Sequence, residues 1–421
     1  MKGRLLALAW AMPPGVFPRA LQVSRTLRQL GRQGWDVTVV TVDPRSEASR
    51  AADERLAAFY AETYRRIVVD PREETLRSPL WLRAWRKLAP PDDTREDNWL
   101  RRAGVAVRRE LKAGRYDAFV SFAQPWNDHV VGLGIKRRFP DLPWLAHFSD
   151  PWVDSPYAQF ADDMRRKAAE KAERAIIAAA DAVAFINRHT ADLVMRKYPE
   201  AWRSKVHLVP HATEPDLLSL LPAPSPRGDA MRVVHTGNFY GRRGPEAVLT
   251  AVAELASDPQ VRGALRVEFV GNAEERHLRM AGEMGVGEMV AFCGKAGYLE
   301  SLDRARNADL LLLMDAPAAV NVFLPSKIVD YIMLRRPILG ITPAEGASAE
   351  ALRGLGCAIV APDDPAAIAA ALRAGFARWR AGEEAFPLPD AAAAEAFHIE
   401  RTTRQFEDTL RQAMDGRRRR R

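Results

Sequence analysis

Chemistry is most concentrated in the run Phe323-Leu-Pro-Ser-Lys-Ile-Val-Asp-Tyr-Ile-Met-Leu-Arg-Arg-Pro-Ile-Leu-Gly340. Pro325 suits the first turn of a helix, where its missing N–H costs nothing. Ser326 and Lys327 then lie at the helix start, where free N–H groups and the helix dipole attract anions. Asp330, one turn in, can accept from hydroxyls. This combination suits a nucleotide diphosphate and its ribose. A second run, Met231-Arg-Val-Val-His-Thr-Gly237-Asn238-Phe-Tyr-Gly-Arg242-Arg243-Gly-Pro-Glu246, passes from an apolar strand into a glycine-bearing loop and on to a helix. Gly237 permits close approach of backbone to a ligand. Arg242 and Arg243 offer charged forks to a diphosphate. A third, Pro143-Trp-Leu-Ala-His147-Phe-Ser149-Asp150-Pro-Trp152, brings an imidazole and a carboxylate to the end of a buried strand. Strand alternation puts His147 and Ser149 on one face and Asp150 on the other. Each has a plainer reading: a capping Ser with solvated charges, a satisfied core histidine, an Asp that caps a helix.

The elements needed to position these residues are legible. Ala308-Asp-Leu-Leu-Leu-Leu-Met314 is too apolar for a half-exposed strand and reads as the interior of a parallel sheet. The N-terminal Gly-Arg-Leu-Leu-Ala-Leu run reads as a first buried strand rather than a leader, because Pro13-Pro-Gly15 runs straight into a helical pattern. Arg19 stands at that helix start, either facing a cleft or simply solvated. Trp35 to Thr41 is the second strand of a βαβ unit, right-handed by default. Further strands are expected at 116–122, 181–186, 266–271, 290–295 and 358–360, with helices at 164–180, 365–377 and 391–414. Residues 44–112 show no clear order. The Pro-rich run Leu221 to Gly228 reads as a boundary.

A chain of 421 residues, 47% hydrophobic and 28% charged, suits two globular domains rather than one core. Two isolated cysteines, Cys293 and Cys357, exclude a disulfide framework and argue against a zinc site, which points to a reducing cytoplasm. Net charge is +8, five units of it from Arg417 to Arg421, so the body is only mildly basic and nucleic acid is not an expected partner. That tail reads as a solvated charge run. The segment from Ser78 to Trp99 mixes tryptophans with Arg and Lys, which fits an anionic membrane surface or a helix with inward tryptophans. No run approaches the length of a membrane span.

The pattern Pro-Ser-Lys-x-x-Asp-Tyr followed by Pro337-Ile resembles the donor-site helix of family 4-type glycosyltransferases of the GT-B fold. Val322 occupies the first acidic position of that family's Glu-x7-Glu motif and Asp330 the second. Asn238 replaces the family's loop Arg, and Arg243 stands in for its Lys. Gly294-Lys295-Ala-Gly-Tyr298 resembles its base-binding loop, the Asp150-Pro-Trp run its corresponding first-domain loop, and Val209-Pro-His-Ala212 its interdomain segment. The resemblance implies an α/β fold of two Rossmann-like domains facing a central cleft: 1–215 for the acceptor, 229–388 for the donor, 389–416 as a helix crossing back, and 417–421 as a basic tail. It implies a nucleotide-sugar co-substrate, retention, no bound metal and no cofactor. The acceptor would be a glycan, a lipid-linked sugar or a small molecule, with the enzyme cytoplasmic or peripheral on the inner membrane face. Gly237, Asn238, Arg242, Arg243, Lys295, Ser326, Lys327 and Asp330 would bind donor, with Asp150 or His147 near the reacting centre and Gly15 and Arg19 on the acceptor side. A GT-B sugar-nucleotide epimerase and a non-catalytic sugar-nucleotide binder are the alternatives.

Overall fold

The computed structural model describes residues 2–47, 53–61, 63–71 and 94–418. They form two compact units: those within 1–212 together with 399–418, and 213–398. Each is built on a parallel sheet.

In the first unit the strands are β1 (Gly3–Leu8), β2 (Trp35–Val42), β3 (Arg65–Val69), β4 (Ala118–Phe122), β5 (Trp144–Phe148), β6 (Ala182–Phe185) and β7 (Val206–Leu208). Their spatial order is β3-β2-β1-β4-β5-β6-β7. Because helices cover both faces of such a sheet, β4, β5 and β6 are buried along their whole length. The stretch without clear sequence order supplies the helices Glu54–Ala61 and Thr94–Ala113 and the edge strand β3. Trp99, expected at a lipid surface or packed inward, is fully buried. Its indole donates to Asp128 at 2.6 Å and its ring meets Trp10 edge-on. The rest of that aromatic and basic segment, Trp81 and Trp85 included, lies outside the described residues. Among the described residues no helix is long and apolar enough to cross a membrane.

The second unit contains β8 (Met231–Thr236), β9 (Leu265–Val270), β10 (Val290–Gly294), β11 (Leu310–Met314), β12 (Val320–Asn321), β13 (Ile338–Ile341), β14 (Glu345–Gly346) and β15 (Ala358–Val360). Six of them form a sheet in the order β10-β9-β8-β11-β13-β15, and β12 pairs with β14. The apolar run at β11 is buried throughout, at the centre of that sheet. The Pro-rich run 221–228 belongs to this unit: the Ser225 amide donates to Asn307 and Arg306 donates to the Pro222 carbonyl.

The final helix differs from the single 391–414 span that the sequence suggests. A short turn Ala391–Ala394 and a 3₁₀ segment Glu395–Phe397 come first, and the long helix runs Ile399–Arg418. The break has a cause. Thr213 N–H donates to the Phe397 carbonyl at 2.8 Å, and Thr213 pairs with His398, which is extended. Beyond it, Ile399–Arg418 packs on the Pro18–Arg32 helix and on β5 and β6. Arg417 and Arg418 of the basic tail are helical.

Candidate functional site

In parallel sheets, ligand-binding residues collect where strands end at their carboxyl side. Each unit has such a cluster.

In the second unit, β8 and β11 are paired with Val234 opposite Leu311, which sets His235 beside Leu312. His235 is fully buried, and its Nδ1 lies 2.9 Å from the Leu312 carbonyl. A carbonyl only accepts, so Nδ1 carries the proton. Burial holds this imidazole well below its ordinary pKa, with Lys327 adding to the effect, so it is neutral and Nε2 bears a lone pair. Lys327, first residue of the Lys327–Leu334 helix, places its ammonium 3.4 Å from that Nε2. Gly237 follows, with φ +126, and a Cβ there would run into the Lys327 Nζ. The same helix is tied down one turn later. The Thr236 amide donates to the Tyr331 hydroxyl at 3.0 Å. Burial and the neighbouring Arg243 lower the Lys327 pKa to about 7, against the opposing pull of Asp315 and Asp330. Asp330 accepts from the Tyr298 hydroxyl at 2.7 Å. Ser326 occupies the cap position and makes no side-chain capping bond.

Arg243 is placed differently from a solvated cleft arginine. It is 8% exposed and pairs with Asp315 at 3.1 Å. Asp315 also accepts from Asn321 at 2.8 Å and Thr342 at 2.9 Å. Arg242, beside it, is exposed, as are Asn238 and Lys295. Asn238 accepts from the Asn272 amide at 3.0 Å. Arg242, Arg243, Glu246, Arg276, Asp315 and Pro317 contribute to the walls of a cavity of about 350 Å³. Val322 sits in the loop after β12, beside the Asn321 side chain that braces Asp315.

In the first unit, Arg19 donates to His147 Nδ1 at 3.0 Å and to the His147 carbonyl at 3.1 Å. Its guanidinium also lies over the Phe122 ring. Burial lowers the Arg19 pKa to about 10, still far above neutrality, while Asp150 and Asp128 oppose the shift. His147 is buried and held well below its ordinary pKa, first by burial and then by Arg19. Because Arg19 occupies the Nδ1 lone pair, the ring hydrogen sits on Nε2. Asp150 accepts from Ser149 Oγ at 2.7 Å and from Gln124 Nε2 at 3.4 Å. Burial raises its pKa. Gly15 belongs to the turn before this group, its amide donating to the Met12 carbonyl.

Several of these participants escape sequence reading. His235, Asp315 and Gln124 matter through partners far away in sequence. A hint existed in His235-Thr-Gly237, a polar residue inside an apolar strand next to a loop glycine.

Residues 20–212 match the model of the family described as "Glycosyl transferase 4-like domain". No curated protein sequence matches the chain significantly. Among solved structures, it resembles sucrose-phosphate synthase from Thermosynechococcus elongatus with a TM-score of 0.69 and 18% identity over 98% of this chain and 100% of that one. WaaG, a glycosyltransferase involved in lipopolysaccharide biosynthesis, gives 0.58 and 15% identity over 98% of each chain. A putative UDP-N-acetylglucosamine 2-epimerase from Listeria monocytogenes gives 0.56 and 11% over 94% of each. At these identities the solved structures speak to the fold: two parallel-sheet units of the GT-B kind. Residues 20–212 are thus a glycosyltransferase 4-like domain, within a chain that has the GT-B fold throughout.

Proposed function

We propose that the protein transfers a sugar from a nucleotide-sugar donor to a glycan, lipid-linked or small-molecule acceptor, with retention and without a resident metal, as the family resemblance implies. The observation that carries the reading is the Lys327 ammonium. It is held at a helix start against His235 and Gly237, with Asp330 one turn further on. An ammonium in a partly buried site meets the charge that develops on a leaving diphosphate more strongly than one in water. Ser326 and the free N–H groups of the helix start bind phosphate oxygens. Asp330, oriented by Tyr298, accepts from ribose hydroxyls. Asn238, Arg242 and Lys295 serve the donor from exposed loop positions. Arg243 acts mainly as the buried partner of Asp315.

On the acceptor side, Asp150 is the better proton acceptor. Its raised pKa brings it nearer to neutral pH, as a general base requires. His147, with Nδ1 engaged by Arg19, offers a donor hydrogen instead. Gly15 and Arg19 shape that side.

The test is a screen of UDP-, GDP-, ADP- and TDP-sugars, with binding measured and products analysed. A new glycoside supports transfer. A sugar changed in configuration but not transferred means an epimerase, and binding without turnover means a non-catalytic binder. Absence of any donor binding sinks the reading.

A further inference from the structure

Lys327 is a half-buried cation, and among the described residues no carboxylate lies within hydrogen-bond reach of its ammonium. Its hydrogen-bond partner is an imidazole. That choice has a consequence. A carboxylate at His235 would orient the ammonium but cancel the charge that a phosphate needs. A neutral imidazole accepts one hydrogen and leaves the full charge in place. The imidazole is itself fixed, since the Leu312 carbonyl takes its Nδ1–H and sets the tautomer. Its ring stacks on Phe239 at 5.4 Å with an interplanar angle of 6°. The Leu312 carbonyl also receives the Tyr331 hydroxyl at 3.4 Å. One carbonyl of β11 therefore anchors both the strand-end imidazole and the helix that carries the lysine.

We infer that His235 is a positioning residue for the donor diphosphate: a fixed, uncharged acceptor that aims the Lys327 ammonium without neutralising it. This rests on the donor-site reading of Lys327. The charged and titratable groups around the ammonium are His235 from β8, Arg243 from the loop after β8, Asp315 from the end of β11 and Asp330 from the helix itself. Of these, His235 alone has a hydrogen bond to Nζ among the described residues.

The experiment measures binding of UDP, GDP, ADP and TDP by calorimetry across pH, in the parent protein, His235→Asn, Lys327→Ala and the double variant. Asparagine keeps an N–H for the Leu312 carbonyl but cannot reach Lys327. We expect His235→Asn to weaken binding about tenfold, the scale of one charge-assisted hydrogen bond. Losing the acceptor also destabilises the ammonium, so the pH at which affinity begins to fall should move down from its parent position near 7. In the Lys327→Ala background the same substitution should change affinity less than about twofold, as expected when one residue acts through the other. Equal losses in both backgrounds, or an unmoved pH limb, would overturn the inference in favour of a packing role. His235→Phe preserves the ring and its stack, and supplies the same comparison if the Asn variant does not fold. Should Lys327→Ala itself leave affinity intact, the donor-site reading falls. That result is distinct from a damaging Lys327→Ala that shows no coupling to His235.

Discussion

Two cations that look equivalent as letters, Arg243 and Lys327, do different things in the fold. Lys327 is partly buried with an uncharged acceptor, whereas Arg243 is committed to Asp315. Lys327→Ala should therefore cut turnover roughly tenfold to a hundredfold, from loss of a contact worth about 1.5–3 kcal/mol. Its melting temperature should hold or rise. Arg243→Ala should show the reverse balance: a smaller kinetic loss, and destabilisation of about 3 kcal/mol because a buried carboxylate loses its ion pair. Parallel kinetics and thermal melts decide between these patterns. The lysine also makes a pH argument with a definite sign. Its folded pKa is about 7 against 10.5 for an ordinary lysine, so between those values the unfolded chain holds more protons. The contribution of this group to stability therefore rises with pH across that window, while affinity for a diphosphate falls. Urea melts of the parent and Lys327→Ala at the two ends of the window should differ in that direction.

At the level of elements, the end of β8 and the start of the Lys327–Leu334 helix form one device, and Gly237 is the place to break it. Its φ of +126 disfavours any side chain, and a Cβ would strike the lysine. Gly237→Ala should lower stability by about 1–3 kcal/mol and weaken diphosphate binding together, measured by melts and calorimetry. A change in neither would mean that the loop relocates freely. Sequence reading reached the halves of this device and not their union. The β11 run announces itself because a strand covered on both faces must be apolar throughout, and Pro325 and Pro337 bracket the helix by removing a donor at each end. The bonds from His235 to Lys327 and from Tyr298 to Asp330 join residues 92 and 32 positions apart, and no local periodicity encodes them. The break at His398 was invisible for the same reason, since its cause is Thr213. Residues 44–112 hid an edge strand because β3 is short, opens on two arginines and buries only Val69 instead of forming an apolar run.

For the whole molecule, the helix Ile399–Arg418 matters more than its polar composition suggests. Phe406 is fully buried, stacked on Phe122 at 6.0 Å and 6.0 Å from the His147 ring. Phe406→Ala should cost about 3–5 kcal/mol, the range for deleting a buried aromatic. It should also disturb the Arg19–His147 pair, lowering turnover more than donor affinity. Differential scanning calorimetry with steady-state kinetics tests both, and an unchanged melting temperature would show that the helix is dispensable.

The discontinuity of the first unit imposes an order on synthesis. The unit spanning 213–398 is contiguous, so a growing chain can finish it while the earlier unit still lacks its last helix. Domains generally fold as units as they emerge. The N-terminal unit is the exception here: translated first, it is completed only after the second unit, with the strand ends that carry His147 waiting on residues 399–418. A premature stop near codon 399 would spare the whole second unit and still leave the older unit without Phe406 over its core. Such a product is a natural substrate for proteolysis of its N-terminal half, even though the damage lies far from it in sequence.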